Sequence, residues 1–365
     1  MLTNIIILGV SFMNKDIKKQ LELISYLPKA DLHCHIDGSI RPATILELAI
    51  KDGIDVPTKN LQDFKRYVQV DDDCQSLVDI LKKFDYPLKV FNSKDNIKRI
   101  TKEVLEDSAK ESIRYIELRF APFYGSGDIT AENRVKAVLE AMSEACEKFN
   151  IHSNLILCAL RGEPIEKTIE TVELASKYKN KGVVAIDLAG NEEAFPPQIY
   201  EKAFDLAKRK GLKITVHAGE TGYPENIINS LSILGANRIG HGFSAEKNHE
   251  VLDYIIKNKI PLEICIKSNI DTKGVDSLAN HPISSLIKKG ATVTLNTDDR
   301  SVFNVTLMDE YERLLKTGVC FDETIKILKN GIEHSFATNI VKKSILKEID
   351  VKIKKLNKNY FHDQM

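Results

Sequence analysis

The sequence carries no excess of charge of either sign: 52 Lys and Arg stand against 52 Asp and Glu in 365 residues, a formal net charge of zero. No global field draws the chain to nucleic acid or to an anionic membrane. It also lacks the apolar tract of about 20 residues that a spanning helix needs. The apolar stretch from Ile5 to Met13 is too short for that, has no Lys or Arg before it, and has no small-residue cleavage site after it, so it fails as a secretory signal. It reads as part of a dispensable extension over residues 1–20, with Met13, ahead of the polar Asn14-Lys15-Asp16, as a candidate start. Cysteine is sparse: Cys34, Cys74, Cys146, Cys158, Cys265 and Cys320 are scattered and form no CxxC pair. They read as reduced thiols of a cytoplasmic protein, not as a disulfide framework. No internal repeat, low-complexity tract or linker divides the chain. What remains, 43% hydrophobic and 28% charged residues, is ordinary for a soluble globular domain of enzyme size.

Eight short apolar or β-branched runs, at 30–35, 113–119, 154–160, 183–186, 212–216, 238–239, 260–264 and 292–295, alternate with longer segments of helical apolar spacing. Strand–helix alternation of this kind predicts a parallel sheet. The polar residues decide its form. Run after run ends in a reactive or small group: His33 and His35, Glu117 and Arg119, Arg161-Gly162, Asp187 with Gly190, His217 with Glu220, His241, Cys265, and Asp298-Asp299. A closed barrel brings all these ends to one rim, whereas an open sheet spreads them along an edge. The expected fold is therefore α/β, a TIM (β/α)8 barrel over residues 21–345. Between the first and second strands, residues 52–93 read as a helical insertion with turn signals at Gly53, Pro57 and Pro87, placed to cover the mouth. Residues 346–365, lysine-rich from Lys347, read as a solvated terminal helix and tail.

Each candidate site residue is ambiguous by itself. His33 and His35, at i and i+2 of a strand, point to one face, into the barrel, while Cys34 points towards the helices. An HxH pair alone is a weak signal, and a structural role is its plainer reading. His217-Ala218-Gly219-Glu220 adds a third imidazole and, three residues on, a carboxylate in a loop that reads in isolation as solvated charge. Thr297-Asp298-Asp299 fits a helix N-cap with an acidic first turn as well as it fits a ligand. His241 alone reads as a satisfied core histidine. Together they read differently. Three imidazoles and one carboxylate from different strand ends make a mononuclear metal site, for which zinc is the default. A separate glutamate beside the bound water supplies acid/base chemistry. No GxSxG elbow, no GxxxxGK[ST] loop, no GxGxxG after a strand and no PCxxC zinc pair competes with this reading.

Five later motifs follow an opening one, Leu27-Pro28-Lys29-Ala30-Asp31-Leu32-His33-Cys34-His35-Ile36-Asp37-Gly38-Ser39, in fixed order. They are Ala185-Ile186-Asp187-Leu188-Ala189-Gly190, Val216-His217-Ala218-Gly219-Glu220, Arg238-Ile239-Gly240-His241-Gly242, Leu262-Glu263-Ile264-Cys265 and Leu295-Asn296-Thr297-Asp298-Asp299. From about residue 22 to about residue 340 the chain resembles the adenosine deaminase family of metal-dependent amidohydrolases. The resemblance implies a cytoplasmic enzyme of purine salvage that hydrolyses adenosine, and 2′-deoxyadenosine, to inosine or deoxyinosine and ammonia. It implies one Zn2+ per chain and a small purine nucleoside as partner, with no nucleic acid and no membrane. His33, His35, His217 and Asp298 would hold the zinc, and a water would complete the site. Glu220 would deliver a proton to purine N1, and His241 would orient the attacking hydroxide and, with Asp298, stabilise its charge. Around the substrate, beside His35, Asp299 would meet N7, the backbone N–H of Gly190 would meet N3, and Asp37 would hold the ribose 5′-hydroxyl.

Two positions depart from the family pattern: many members have proline where this chain has Ile266 and Arg300. Neither is a ligand, so only local loop shape is at stake. The nearest alternative is adenine deaminase, on the same fold and zinc site, whose opening motif tends to carry glutamate in place of Asp37. AMP deaminase usually has a much longer chain and needs a basic cluster for phosphate. A binuclear amidohydrolase needs a bridging lysine where this chain has Asp187-Leu188-Ala189-Gly190. A non-catalytic nucleoside-binding protein would show loss of Glu220, His241 or a zinc ligand, and all are intact.

Overall fold

All eight apolar runs become strands in a computed structural model, which describes residues 16–71, 74 and 77–362. They are β1 (Lys29–His35), β2 (Ile113–Phe120), β3 (His152–Leu160), β4 (Val183–Ala189), β5 (Lys213–Ala218), β6 (Arg238–His241), β7 (Pro261–Ile264) and β8 (Thr292–Leu295). Each pairs in parallel with the next, in the order β1 to β8. Near-continuous burial along them follows from cover on both faces: side chains fill the barrel inside, and helices pack outside.

The ring closes on few backbone bonds. β8 and β1 meet at a single bridge between Cys34 and Asp298, beyond the end of β8. There the Asp298 N–H donates to the His33 carbonyl at 2.8 Å, and the His35 N–H donates to the Asp298 carbonyl at 2.9 Å. Side chains extend the seam, with the Leu32 N–H on Asn296 Oδ1 at 2.9 Å and Thr297 Oγ1 donating to Asp31 Oδ2 at 2.6 Å. Residues expected to carry chemistry therefore also shut the barrel.

The outer helices follow from apolar stripes and polar caps. In Lys94–Lys110, Ile97, Ile100, Val104 and Leu105 are buried at helical spacing, and the Ser93 side chain accepts from the Asn96 N–H to start the helix. The insertion forms short helices at Leu61–Lys65, Leu77–Leu81 and Asp85–Val90. It is tied over the mouth: the Val70 N–H donates to the Val302 carbonyl at 2.7 Å, and Ile80 packs with Cys74, Val302, Phe303 and Val305.

At the ends the chain packs further than its composition implies. The helix Ile17–Tyr26 begins inside the segment expected as an extension and buries Gln20 and Ile24, while the Ile5–Met13 stretch lies outside the described residues. The helix Asn339–His362 crosses the expected boundary at 346 and buries Ile345 and Ile349, one turn apart, so its apolar edge docks while Lys343, Lys347, Lys354 and Lys355 stay in water. All six cysteines are free. Among the described residues, no helix is long and apolar enough to cross a membrane.

Candidate functional site

The strand ends bring four imidazoles and a carboxylate together. Asp298 Oδ1 lies 3.3 Å from His33 Nε2 and 3.4 Å from His35 Nε2, and His35 Nε2 lies 3.4 Å from His217 Nε2. One ligand atom from each of His33, His217, His241 and Asp298 falls within a span of 4.8 Å, and a second such group joins His35 and His217 to Asp187. The four donors expected from sequence are thus gathered, and His241 stands beside them, its Nε2 3.9 Å from Asp298 Oδ2. His33 Nε2 is buried with no hydrogen-bond partner. Asp298 and His241 both hold left-handed backbone, with φ of 61° and 60°. Few residues other than glycine do so unless the surroundings enforce it, and such strain clusters at functional sites.

Below the donors lies a layer of buried charge. Glu263 accepts from His33 Nδ1 at 2.9 Å and Arg119 Nη2 at 2.9 Å through Oε2, and from Arg238 Nε at 2.6 Å and Thr215 Oγ1 at 2.9 Å through Oε1. Asp187 accepts from Arg119 Nη1 at 2.9 Å and from His217 Nδ1 at 3.0 Å. Glu117 takes Arg238 Nη2 and the Tyr115 hydroxyl, the latter at 2.8 Å. Two expected ligands, His33 and His217, therefore donate Nδ1–H to carboxylates and keep Nε2 free to bind. This is how metal-ligating imidazoles are usually held. The carboxylates also crave positive charge: burial and Arg119 push His33 down, yet Asp298 and Glu263 outweigh them and raise it to about 9.

Above the donors, the acids are of another kind. Burial, with Asp298 and Glu192 nearby, raises Glu220 to about 8, and its Oε2 lies 3.7 Å from His241 Nε2. Burial raises Asp37 to about 6. Asp299 goes well above the carboxylate range through burial and the negative charge of Asp298, whereas His33, His241 and His35 overcome the burial of Asp298 and hold it well below. Two adjacent carboxyls are thus driven apart into one acid and one base form. Asp37 Oδ1 and Asp299 Oδ1 are both buried without a partner. Gly38 makes room for this arrangement: a Cβ there would sit 1.7 Å from Asp299 Oδ1.

These groups form the floor of a cavity of about 400 Å³. His35, Asp37, Gly190, His217, Glu220, His241, Asp298 and Asp299 line it, so every expected site residue except the deeper His33 reaches it. Its apolar wall comes from the insertion, through Ile80, Leu81, Phe84 and Leu88, with Phe303 from the loop after β8. The volume and the apolar lining with few polar groups suit a drug-sized ligand.

Several contributions were not assigned from the sequence, although Arg161 and Asp187 were among the strand-end groups. Glu192 accepts from the backbone N–H groups of Gly219, Glu220 and Thr221 at 2.8, 2.7 and 2.8 Å and so anchors the loop that carries Glu220. Arg161 Nη2 donates to the His217 carbonyl at 2.7 Å. Asp187 and Glu263 had one available signal: a charge inside an otherwise apolar buried strand must find a partner. The two departures from the family pattern also acquire a meaning. Ile266, having an N–H that proline lacks, donates to Glu310 Oε2 at 2.6 Å, and Arg300 pairs with Glu111.

Comparison with known proteins agrees with this geometry. Residues 28–352 match the family model described as adenosine deaminase. An adenosine deaminase of Clostridium acetobutylicum is 50% identical over 331 residues, 90% of this chain and 99% of that protein, and one of Clostridium kluyveri is 49% identical over 87% and 92%. Among solved structures, an adenine deaminase from Arthrobacter aurescens superposes with a TM-score of 0.82 at 26% identity, covering 90% of this chain and 99% of that one. An Arabidopsis N6-mAMP deaminase gives 0.81 at 33% identity, over 90% and 99%. The chain, a (β/α)8 barrel with a candidate metal site at its mouth, belongs to the adenosine deaminase family.

Proposed function

We propose that this protein hydrolyses adenosine, and 2′-deoxyadenosine, to inosine or deoxyinosine and ammonia, in the cytoplasm, with one zinc ion per chain. The observation that carries the reading is the placement of Glu220: a carboxyl facing His241 across 3.7 Å beside the donor cluster, pushed up to about 8 by burial and by the nearby Asp298 and Glu192. The donor set fits zinc, being imidazoles and a carboxylate without thiolate, with an unpartnered Nε2 on His33 and carboxylates behind two rings. His33, His35, His217 and Asp298 would hold the ion, which when bound lowers the pKa of a coordinated water from 15.7 towards about 7.

The chain's own groups supply the rest. Glu220 gives its proton to purine N1, which draws electron density from C6 and opens it to attack. His241 and Asp298 orient the attacking water. Its oxygen bonds to C6 to make a tetrahedral carbon; of the two protons the water brings, one passes to the exocyclic nitrogen, whose bond to C6 breaks to release ammonia as the C6 carbonyl forms, and the other restores Glu220. Asp299, kept neutral, donates to N7, an acceptor, as the Gly190 N–H does to N3. Asp37 holds the ribose 5′-hydroxyl, and Ile80, Leu81 and Phe84 keep bulk water from the base.

Adenosine is favoured over adenine by the relatives near 50% identity, which are named adenosine deaminases, and by Asp37, which gives a ribose something to bind. The test is the ultraviolet change when zinc-loaded protein meets adenosine in one cuvette and adenine in another. Conversion of adenosine alone is expected, and conversion of adenine alone would overturn the substrate assignment.

A further inference from the structure

The chemistry open to His241 depends on which ring nitrogen carries its proton, and a chain of hydrogen bonds behind the ring decides this. It starts at a group that cannot change role: the backbone N–H of Ile283 donates to His281 Nδ1 at 3.2 Å. His281 Nδ1 is therefore an acceptor. Burial pushes this imidazole down to about 4, so it is neutral and its single proton sits on Nε2. That Nε2 lies 3.3 Å from Asn269 Oδ1, which must accept. The other end of the same amide, Nδ2, lies 2.9 Å from His241 Nδ1 and donates to it. Turning the amide over would set an N–H against the Nε2–H of His281, so the order of donors and acceptors runs one way only. Asn269 is fully buried, and its backbone is fixed at both ends, its N–H donating to the Cys265 carbonyl and its carbonyl accepting from the Val275 N–H, each at 2.9 Å.

We infer that Asn269 and His281 are positioning residues that lock His241 as the Nε2–H tautomer, so that it meets the reacting oxygen as a hydrogen-bond donor and neither as a base nor as a metal ligand. The site then holds two opposite tautomers. Once a metal is bound, His33 and His217, whose Nδ1 atoms lie against Glu263 and Asp187, would turn Nε2 lone pairs inward, whereas His241 accepts at Nδ1 and turns an Nε2–H inward. This separates His241 from the ligands, although its ring nitrogen lies within their 4.8 Å span. Neither Asn269 nor His281 lines the floor of the cavity, so both act through His241.

Only the consequence for turnover rests on the proposed deaminase reaction. The tautomer is read directly, from long-range 1H–15N correlations of the histidine rings in zinc-loaded protein without substrate. The expected spectrum shows His241 protonated at Nε2 and bare at Nδ1. A proton on Nδ1 would overturn the inference, and the wild-type spectrum decides this without any variant. Asn269→Asp sets an acceptor against Nδ1 and is expected to move the proton there, with a kcat loss on the order of 10²–10⁴-fold, as wrong-tautomer variants show elsewhere, and with zinc content unchanged. A variant that keeps the Nε2–H ring, or that switches it with no loss of kcat, contradicts the inference. Wild-type protein with an Nε2–H His241 that leaves adenosine untouched would instead uphold the tautomer and overturn the substrate reading.

Discussion

Two layers of carboxylates lie one above the other in this barrel, the lower fully buried and the upper lining the cavity, and they differ in charge habit. In the lower layer, Glu117, Asp187 and Glu263 have both oxygens engaged, by Arg119, Arg238, Tyr115, His33 and His217 among others. In the upper layer, Asp37 and Asp299 each keep an oxygen with no partner, and Glu220 faces a neutral imidazole. The outcome follows the partners: cations offset the burial of Glu263 and hold it well below the carboxylate range, whereas burial raises Asp37 to about 6 and Glu220 to about 8. Burial alone does not say what an acid will do. Filled acids hold geometry, and unfilled acids are free to exchange protons.

Breaking the lower layer has the largest expected effect on the fold. Glu263→Gln leaves Arg119 and Arg238 short of a shared anion, and a loss of about 3–5 kcal/mol in denaturant unfolding is expected. Asp187→Asn spares the fold more but loosens His217: chelator competition is expected to show a metal affinity lower by about 10–100-fold. The upper layer is probed by pH. Because Glu220 works protonated, kcat/KM is expected to fall as pH rises through its pKa, by about tenfold per unit. A bound cation draws that pKa down, so the fall sets in at or below a pH of about 8. A flat profile above that point would remove Glu220 from the acid role. The smallest effect belongs to the outer surface, where Arg99 pairs with Glu47 and Glu103 at 2.6 and 2.9 Å with much of its side chain in water. Arg99→Ala is expected to shift stability by about 1 kcal/mol or less, with turnover unchanged.

What the sequence revealed divides along the same line. The eight strands were legible because each is a compact apolar run, and the rim followed from where His33, His217, His241 and Asp298 fall, at the ends of those runs or just beyond them. The seam at Asp298 was not legible, since β8 ends three residues before it and the closure uses isolated backbone bonds. Nor was the pairing within the lower layer. Glu263 meets His33 across 230 residues of chain, and no local pattern joins them. Glu192 was missed because its work is done on backbone N–H groups, which no side-chain motif records. The docking of the C-terminal helix was hidden for a simpler reason: lysine-rich composition masks Ile349, which is buried with Ile345.

The most direct test of the division between holding and reacting acids is to measure zinc content and turnover on one preparation of Glu220→Gln. The side chain keeps its shape, touches none of the ligands' backing carboxylates, and loses only the proton it would give. Full zinc with adenosine turnover lower by about 10³-fold or more is the expected result. Full zinc with wild-type turnover would contradict the account, because the raised acid that faces His241 would then have no part in the reaction.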